Sequence, residues 1–161
     1  SFACHAKNLG AAFVAMAGSA GRAATCRAAG VDAYADYRAE DLPAALGAKD
    51  FDFLIDAVGK AGQIDRALGL LRPGGVVGVY GLDEYDRCSI NPRQARGDFT
   101  FANRGYDEAE THDAVVAHVR ARRLDARKFL DLDRPWPLER IGEAFEAVRR
   151  RQAVKALVKL S

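Results

Sequence analysis

Apolar residues in this 161-residue chain gather in short runs, three of which lead into a glycine, the one over 51–58 carrying Asp52 and Asp56 among them. A run without polar alternation marks a strand covered on both faces, as in a parallel sheet. Such runs occupy residues 12–16, broken by Gly18-Ser19-Ala20-Gly21, residues 51–58, ended by Gly59, and residues 76–80, closed by Gly81. A brief strand near residues 33–35 and a last one at 99–102 complete the expected sheet.

Between the runs the apolar spacing changes to three and four. Phe2, Ala6 and Leu9 share one face of a predicted helix over residues 1–9, and alanines build another over 20–29 with Cys26 inward. Gly10 and Gly30 follow these helices, where a C-terminal glycine belongs. A helix is expected around 41–46. Ile64, Ala67, Leu68 and Leu71 form the stripe of another, which Arg72-Pro73-Gly74-Gly75 should stop. Residues 82–96 are turn-rich, and an amphipathic helix follows over 109–122. The rhythm then changes, to an extended piece over 124–133, a helix over 137–149 with Ile141, Ala144, Phe145 and Val148 inward, and a final strand over 153–160.

Strands alternating with helices of this length describe βαβ units. The predicted fold class is α/β, a doubly wound parallel sheet. In such a sheet, ligands bind outside the carboxyl ends of the strands. Gly18, Gly59 and Gly81 all follow strands there, and the lack of a side chain lets a flat ligand approach the backbone.

Composition narrows the classes. Hydrophobic residues at 49% and charged residues at 29% are the ordinary mixture of a packed domain, which argues against a disordered or membrane-embedded chain. The 24 basic and 22 acidic side chains are interspersed, so no broad field favours nucleic acid or anionic lipid. The local exception, Arg149, Arg150 and Arg151, falls on the last turn of a predicted helix, where cations meet the carbonyl end of the dipole. Cys4, Cys26 and Cys88 are far apart with no CxxC spacing, which fits a reducing, cytoplasmic setting. His5, His112 and His118 lack metal-ligand spacing, and no metal is expected in this chain. Ser1 has the character of an internal position, and the sequence is expected to be a fragment of a longer polypeptide.

Two segments carry a family resemblance. FDFLIDAVGKAGQIDRALGLLRPGGVVGVYG, residues 51–81, resembles the medium-chain dehydrogenase/reductase stretch in which the fourth strand ends beside the adenine ribose and the fifth beside the nicotinamide. PLERIGEAFEAVRRRQAVKALVKLS, residues 137–161, is similar to the ending of the alcohol dehydrogenase and quinone reductase type. The resemblance implies an NAD(P)-binding Rossmann domain over residues 1–123, lacking its first strand and glycine loop, and a tail over 124–161 that returns to the catalytic domain. It also implies the strand order 3-2-1-4-5-6, with strand 1 missing, so that strands 2 and 3 lose their neighbour and two inner edges stand exposed unless another chain or a rearrangement fills the gap.

The functional implications follow residue by residue. Ala57, Val58 and Gly59 match the adenosine-side turn, Tyr80, Gly81 and Leu82 the nicotinamide-side turn, and Phe101, Ala102 and Asn103 the backbone that holds the carboxamide. Lys155 matches a basic position that reaches the pyrophosphate. NAD-specific members have an acidic residue at the end of the second strand for the ribose hydroxyl. Here Gly18, Ser19 and Arg22 stand in its place, and Ser19 and Arg22 are candidates for a 2'-phosphate, which favours NADP over NAD. The activity implied is hydride transfer between nicotinamide and an alcohol, an aldehyde or ketone, or a quinone. Catalytic residues, and zinc if there is any, are expected upstream of this chain, which alone should bind cofactor poorly. A homodimer is expected through the edge strand at 99–102, with no nucleic-acid or membrane partner. Two other readings compete, an S-adenosylmethionine-dependent methyltransferase and a non-catalytic nucleotide-binding relative.

Overall fold

The computed structural model describes residues 1–38, 41–47, 50–81, 83–102, 105, 107–130 and 132–160. They fall into two compact units: residues 15–23 with 32–108, and residues 1–14 with 24–31 and 109–161.

The first unit is built on parallel strands. β1 (Ala15–Gly18) lies alongside β2 (Ala33–Asp36), with Ala15 opposite Ala33 and Gly18 opposite Asp36. β3 (Phe51–Asp56), β4 (Leu71–Val79) and β5 (Phe99–Ala102) form a second sheet with β4 in the middle. Two short helices pack on these strands. α3 (Leu42–Leu46) starts at Asp41, whose carboxylate accepts from the Ala44 N–H at 3.1 Å, and stops at Gly47 with φ 62°. It brings Leu42 and Leu46 against Ala35 and Leu70, with Ala15 and Phe51 alongside. α4 (Gln63–Leu68) buries Ile64 and Leu68 against Leu71 and Val77. Each such side chain contributes about 1.5–3 kcal/mol when taken out of water, so these two clusters hold the unit together.

The expected strand order is present with its gap. β1 and β3 belong to separate sheets, and a slot of about 230 Å³ lies between them, lined by Ala15, Met16 and Ala17 on one side and Phe53, Leu54 and Ile55 on the other. This is where the resemblance places its missing first strand. Among the described residues β1 and β3 each pair along one edge alone, and Phe53 remains 68% exposed.

The second unit contains α1 (Phe2–Asn8), most of α2 (Ala23–Ala28) and of α5 (Glu108–Arg120), and the tail. Ala3 and Cys4 are buried, and the Cys4 thiol donates to the Ala29 carbonyl at 3.2 Å. In the tail, β6 (Trp136–Pro137) runs parallel to β7 (Val158–Lys159), and α6 (Ile141–Arg149) lies between them in sequence. The basic triplet sits at the end of α6 as expected, with Arg149 and Arg150 paired to Glu146.

Several sequence expectations are corrected. The glycine-proline stretch after α4 does not separate helix from strand. α4 ends earlier, and Leu71 opens β4, which carries Arg72-Pro73-Gly74-Gly75 as an irregularity between the pairings Phe51 with Leu71 and Phe53 with Val76. A bulge tolerates Pro because the extra residues leave the ladder. The first strand begins at Ala15, not at residue 12, and a 3₁₀ turn over Ala20–Arg22 replaces the start of the helix expected there. The extended piece expected over 124–133 is broken, since Ala126–Lys128 form a 3₁₀ turn capped by Asp125. On α6 the buried residues are Ala144 and Ala147, whereas Ile141 and Val148 are exposed and Phe145 is 71% exposed. The helix packs through its small residues and leaves its large apolar stripe facing outward. α5 is present but buries none of its residues.

Candidate functional site

The last residue of β3 organises the carboxyl end of the larger sheet. Asp56 is 7% exposed, and its Oδ1 accepts from the N–H groups of Val58 and Gly59, both at 2.9 Å. An aspartate that bonds its own backbone two and three residues ahead fixes a tight turn, and Gly59 completes it at φ 78°, a conformation that favours glycine. The Asp56 main-chain carbonyl meanwhile accepts from Tyr80 N–H at 2.9 Å and Gly81 N–H at 3.1 Å, which belong to the turn after β4. Asp83 N–H donates to the Val58 carbonyl and Glu84 N–H to the Gly59 carbonyl, while the Glu84 carboxylate accepts from Ala61 N–H at 3.1 Å. The two turns are therefore tied into one ledge. Gly81 is required by this approach, because a Cβ there would lie 1.9 Å from the Val58 carbonyl carbon.

Ala57, Val58, Gly59, Tyr80 and Gly81, predicted as parts of two turns, are thus brought together. Ala57 and Val58 are exposed and Tyr80 is 58% exposed, so the ledge presents an apolar and aromatic surface. Leu82 and Asn103 lie outside the described residues. Phe101 and Ala102 sit one strand over, opposite Val77 and Gly78 of β4.

At the end of β1 stand Gly18, Ser19 and Arg22. The Tyr37 N–H donates to the Gly18 carbonyl, and the Arg22 N–H to the Ser19 carbonyl in the 3₁₀ turn. Ser19 and Arg22 are half-buried. Two aromatic residues that the sequence did not single out frame this end. Tyr34 donates its hydroxyl to the Ser19 carbonyl at 2.7 Å, and Tyr37 carries the Arg38 guanidinium over its ring at 5.3 Å. A hydrogen bond to the Tyr37 hydroxyl, followed by its charge and that of Asp36, holds Arg38 above its ordinary pKa. The slot between the sheets joins the two ends: Ala17 and Tyr37 line it together with Asp56, Ala57 and Val58.

Lys155 belongs to the other unit. It is exposed, forms an isolated parallel bridge with Leu130, and lines a cavity of about 630 Å³ with Arg127, Lys128 and Trp136.

Asp56 and Glu84 were missed because sequence reading looked for bare glycine. The signal was available for Asp56, since an acidic residue three before a glycine at a strand end is a turn-forming pattern. Glu84 and Tyr34 act through distant partners, and the Tyr37 N–H reaches Gly18, so none of them leaves a local mark.

No three His, Cys, Asp or Glu side chains are grouped to hold a metal ion among the described residues. The described residues therefore do not fit a zinc ion, and no step is derived through one. What the ledge offers is exposed apolar and aromatic surface at the carboxyl end of parallel strands.

Residues 3–104 match the family model described as zinc-binding dehydrogenase. The fold is shared with solved structures of low sequence identity. The alcohol dehydrogenase TADH from Thermus sp. ATN1 superposes with a TM-score of 0.79 at 23% identity, over 98% of this chain and 48% of that one. The 2R,3R-butanediol dehydrogenase from Bacillus subtilis gives 0.80 at 18% identity, over 99% and 47%. The Bacillus subtilis protein yhfP with NAD bound gives 0.64 at 17% identity, over 98% and 50%. The chain thus spans about half the length of these proteins. No curated protein matches it.

Proposed function

The chain belongs to the zinc-binding dehydrogenase family, and on that premise we propose that it is the nucleotide-binding part of an NADP-preferring oxidoreductase that acts on an alcohol, an aldehyde or ketone, or a quinone. The bound dinucleotide would supply the hydride chemistry. The chain's own residues bind and orient. In this reading Ala57, Val58 and Gly59 support the adenosine side, Tyr80, Gly81 and Leu82 the nicotinamide side, and Phe101 and Ala102 the carboxamide. Ser19 and Arg22 face the 2'-phosphate, and Lys155 serves the pyrophosphate.

The observation that carries the reading is the pair of turns after β3 and β4, bonded through Asp56 and so close at Gly81 that no Cβ is tolerated. A ledge of tightly packed backbone at the carboxyl end of parallel strands is where this class of sheet receives ligands. The NAD-bound relative supports a nicotinamide cofactor. The choice of NADP rests on Arg22 and on the lack of an acidic residue between Ala17 and Arg22.

Residues 1–123 constitute the dinucleotide-binding domain in this proposal, and residues 124–161 return to a catalytic domain that holds the groups acting on substrate. The protein is cytoplasmic and dimerises through β5. Titration of the intact protein with NADPH and NADH, followed by nicotinamide fluorescence, tests the proposal. Binding of both with NADPH the tighter supports it, and binding of neither refutes it.

A further inference from the structure

Asp56 is the one charged side chain that is buried among the described residues. Burying a carboxylate is costly unless hydrogen bonds replace its lost water, and here the chain spends four N–H groups on the residue. Two, from Val58 and Gly59, end on its carboxylate, and two, from Tyr80 and Gly81, end on its main-chain carbonyl. One residue at the end of β3 is therefore the point where both turns are fastened.

We infer that Asp56 is a positioning residue for the dinucleotide, holding the turns after β3 and β4 as one preformed ledge. The inference rests on the function proposed above and adds to it a residue with a defined task. A loop ordered before binding spares the conformational entropy that a mobile loop loses on binding. Both bonds that the carboxylate accepts come from its own turn, so the task is geometric. The arrangement also selects which part of a ligand rests here. The Val58 and Gly59 N–H groups are turned inward to Asp56, so the turn offers no nest of donors to an anion. Its outward face, Ala57, Val58 and Tyr80, suits the flat uncharged portions of a dinucleotide. Asp52, the other acid of β3, is exposed and paired with Arg72 at 2.6 Å, and takes no part.

The test compares the intact wild-type protein with Asp56→Asn, Asp56→Ser and Asp56→Ala. NADPH dissociation constants come from nicotinamide fluorescence, and melting is measured on the same samples. Asparagine keeps the accepting oxygen and serine keeps a weaker one. The order expected is wild type close to Asn, then Ser, then Ala, with Ala about tenfold weaker, as the loss of one or two net hydrogen bonds implies. A merely structural role would lower melting temperatures in that order while folded variants kept the wild-type constant, and that result overturns the inference. Asn as weak as Ala overturns it as well. Should Asp56→Ala fail to fold, Asp56→Ser decides, weaker binding supporting the inference and wild-type binding ending it. If wild-type protein binds neither NADPH nor NADH, the proposed function and this inference fall together. If it binds and the series is flat, this inference alone fails.

Discussion

The Tyr34 hydroxyl occupies the space beside Gly18 where a side chain would begin: a Cβ on Gly18 would lie 2.4 Å from it, and the same hydroxyl donates to the Ser19 carbonyl at 2.7 Å. The glycine at the end of β1 is thus needed by the protein's own packing. Gly18→Ala should destabilise the intact protein by about 1–3 kcal/mol, the usual range for overpacking, and Tyr34→Phe by about 1 kcal/mol through the lost hydrogen bond. Urea unfolding reads both. A neutral Gly18→Ala would show that Tyr34 moves aside freely.

Arg22 is the proposed discriminator between the two nicotinamide cofactors. Arg22→Asp should reverse the charge facing a 2'-phosphate and shift preference from NADPH towards NADH by one to two decades, since a charge-assisted bond is worth roughly 1.5–3 kcal/mol. The ratio of the two dissociation constants measures it. An unchanged ratio removes Arg22 from the phosphate site.

Much of this architecture was legible in the chain. The runs ending at Gly59 and Gly81 located β3 and β4, and the resemblance placed the gap between β1 and β3 that the sheets show. What could not be read was set by contacts distant in sequence. Leu71 fits a helical stripe by spacing, yet the ladder with Phe51 takes it into β4. Phe145 belongs inward by hydropathy, yet α6 packs through Ala144 and Ala147. In the site, glycines announced the turns, but their fastening lies in two carboxylates and three carbonyls, and main-chain acceptors carry no sequence signature.

Among the described residues β3 has a strand neighbour on one side alone, with a consequence for the isolated 161-residue chain. An apolar strand at a sheet edge invites pairing with another chain, and Phe53 of β3 stands exposed. Phe53→Lys should lower self-association by at least severalfold with less than about 0.5 kcal/mol change in stability, as for a surface substitution. Sedimentation velocity gives the outcome. Equal association of the two chains would place the contact elsewhere.

His5 and His118 face each other with ring centroids 6.1 Å apart. Partial burial first, then the charge of His118, hold His5 below the ordinary imidazole value of 6.5. Folding thus favours the neutral ring. Its contribution is complete above the unfolded value and is lost as pH falls through the lowered one. Melting temperature should drop as pH falls below 6.5, and His5→Gln should flatten that drop. A slope that His5→Gln leaves intact contradicts this account.

The central claim, that the fastened turns after β3 and β4 receive a nicotinamide dinucleotide, is tested most directly by amide hydrogen exchange of the intact protein with and without NADPH. Protection should rise at residues 57–61 and 80–84 together, and stay unchanged along α5. Protection confined to other segments, with both turns exchanging as before, would contradict it.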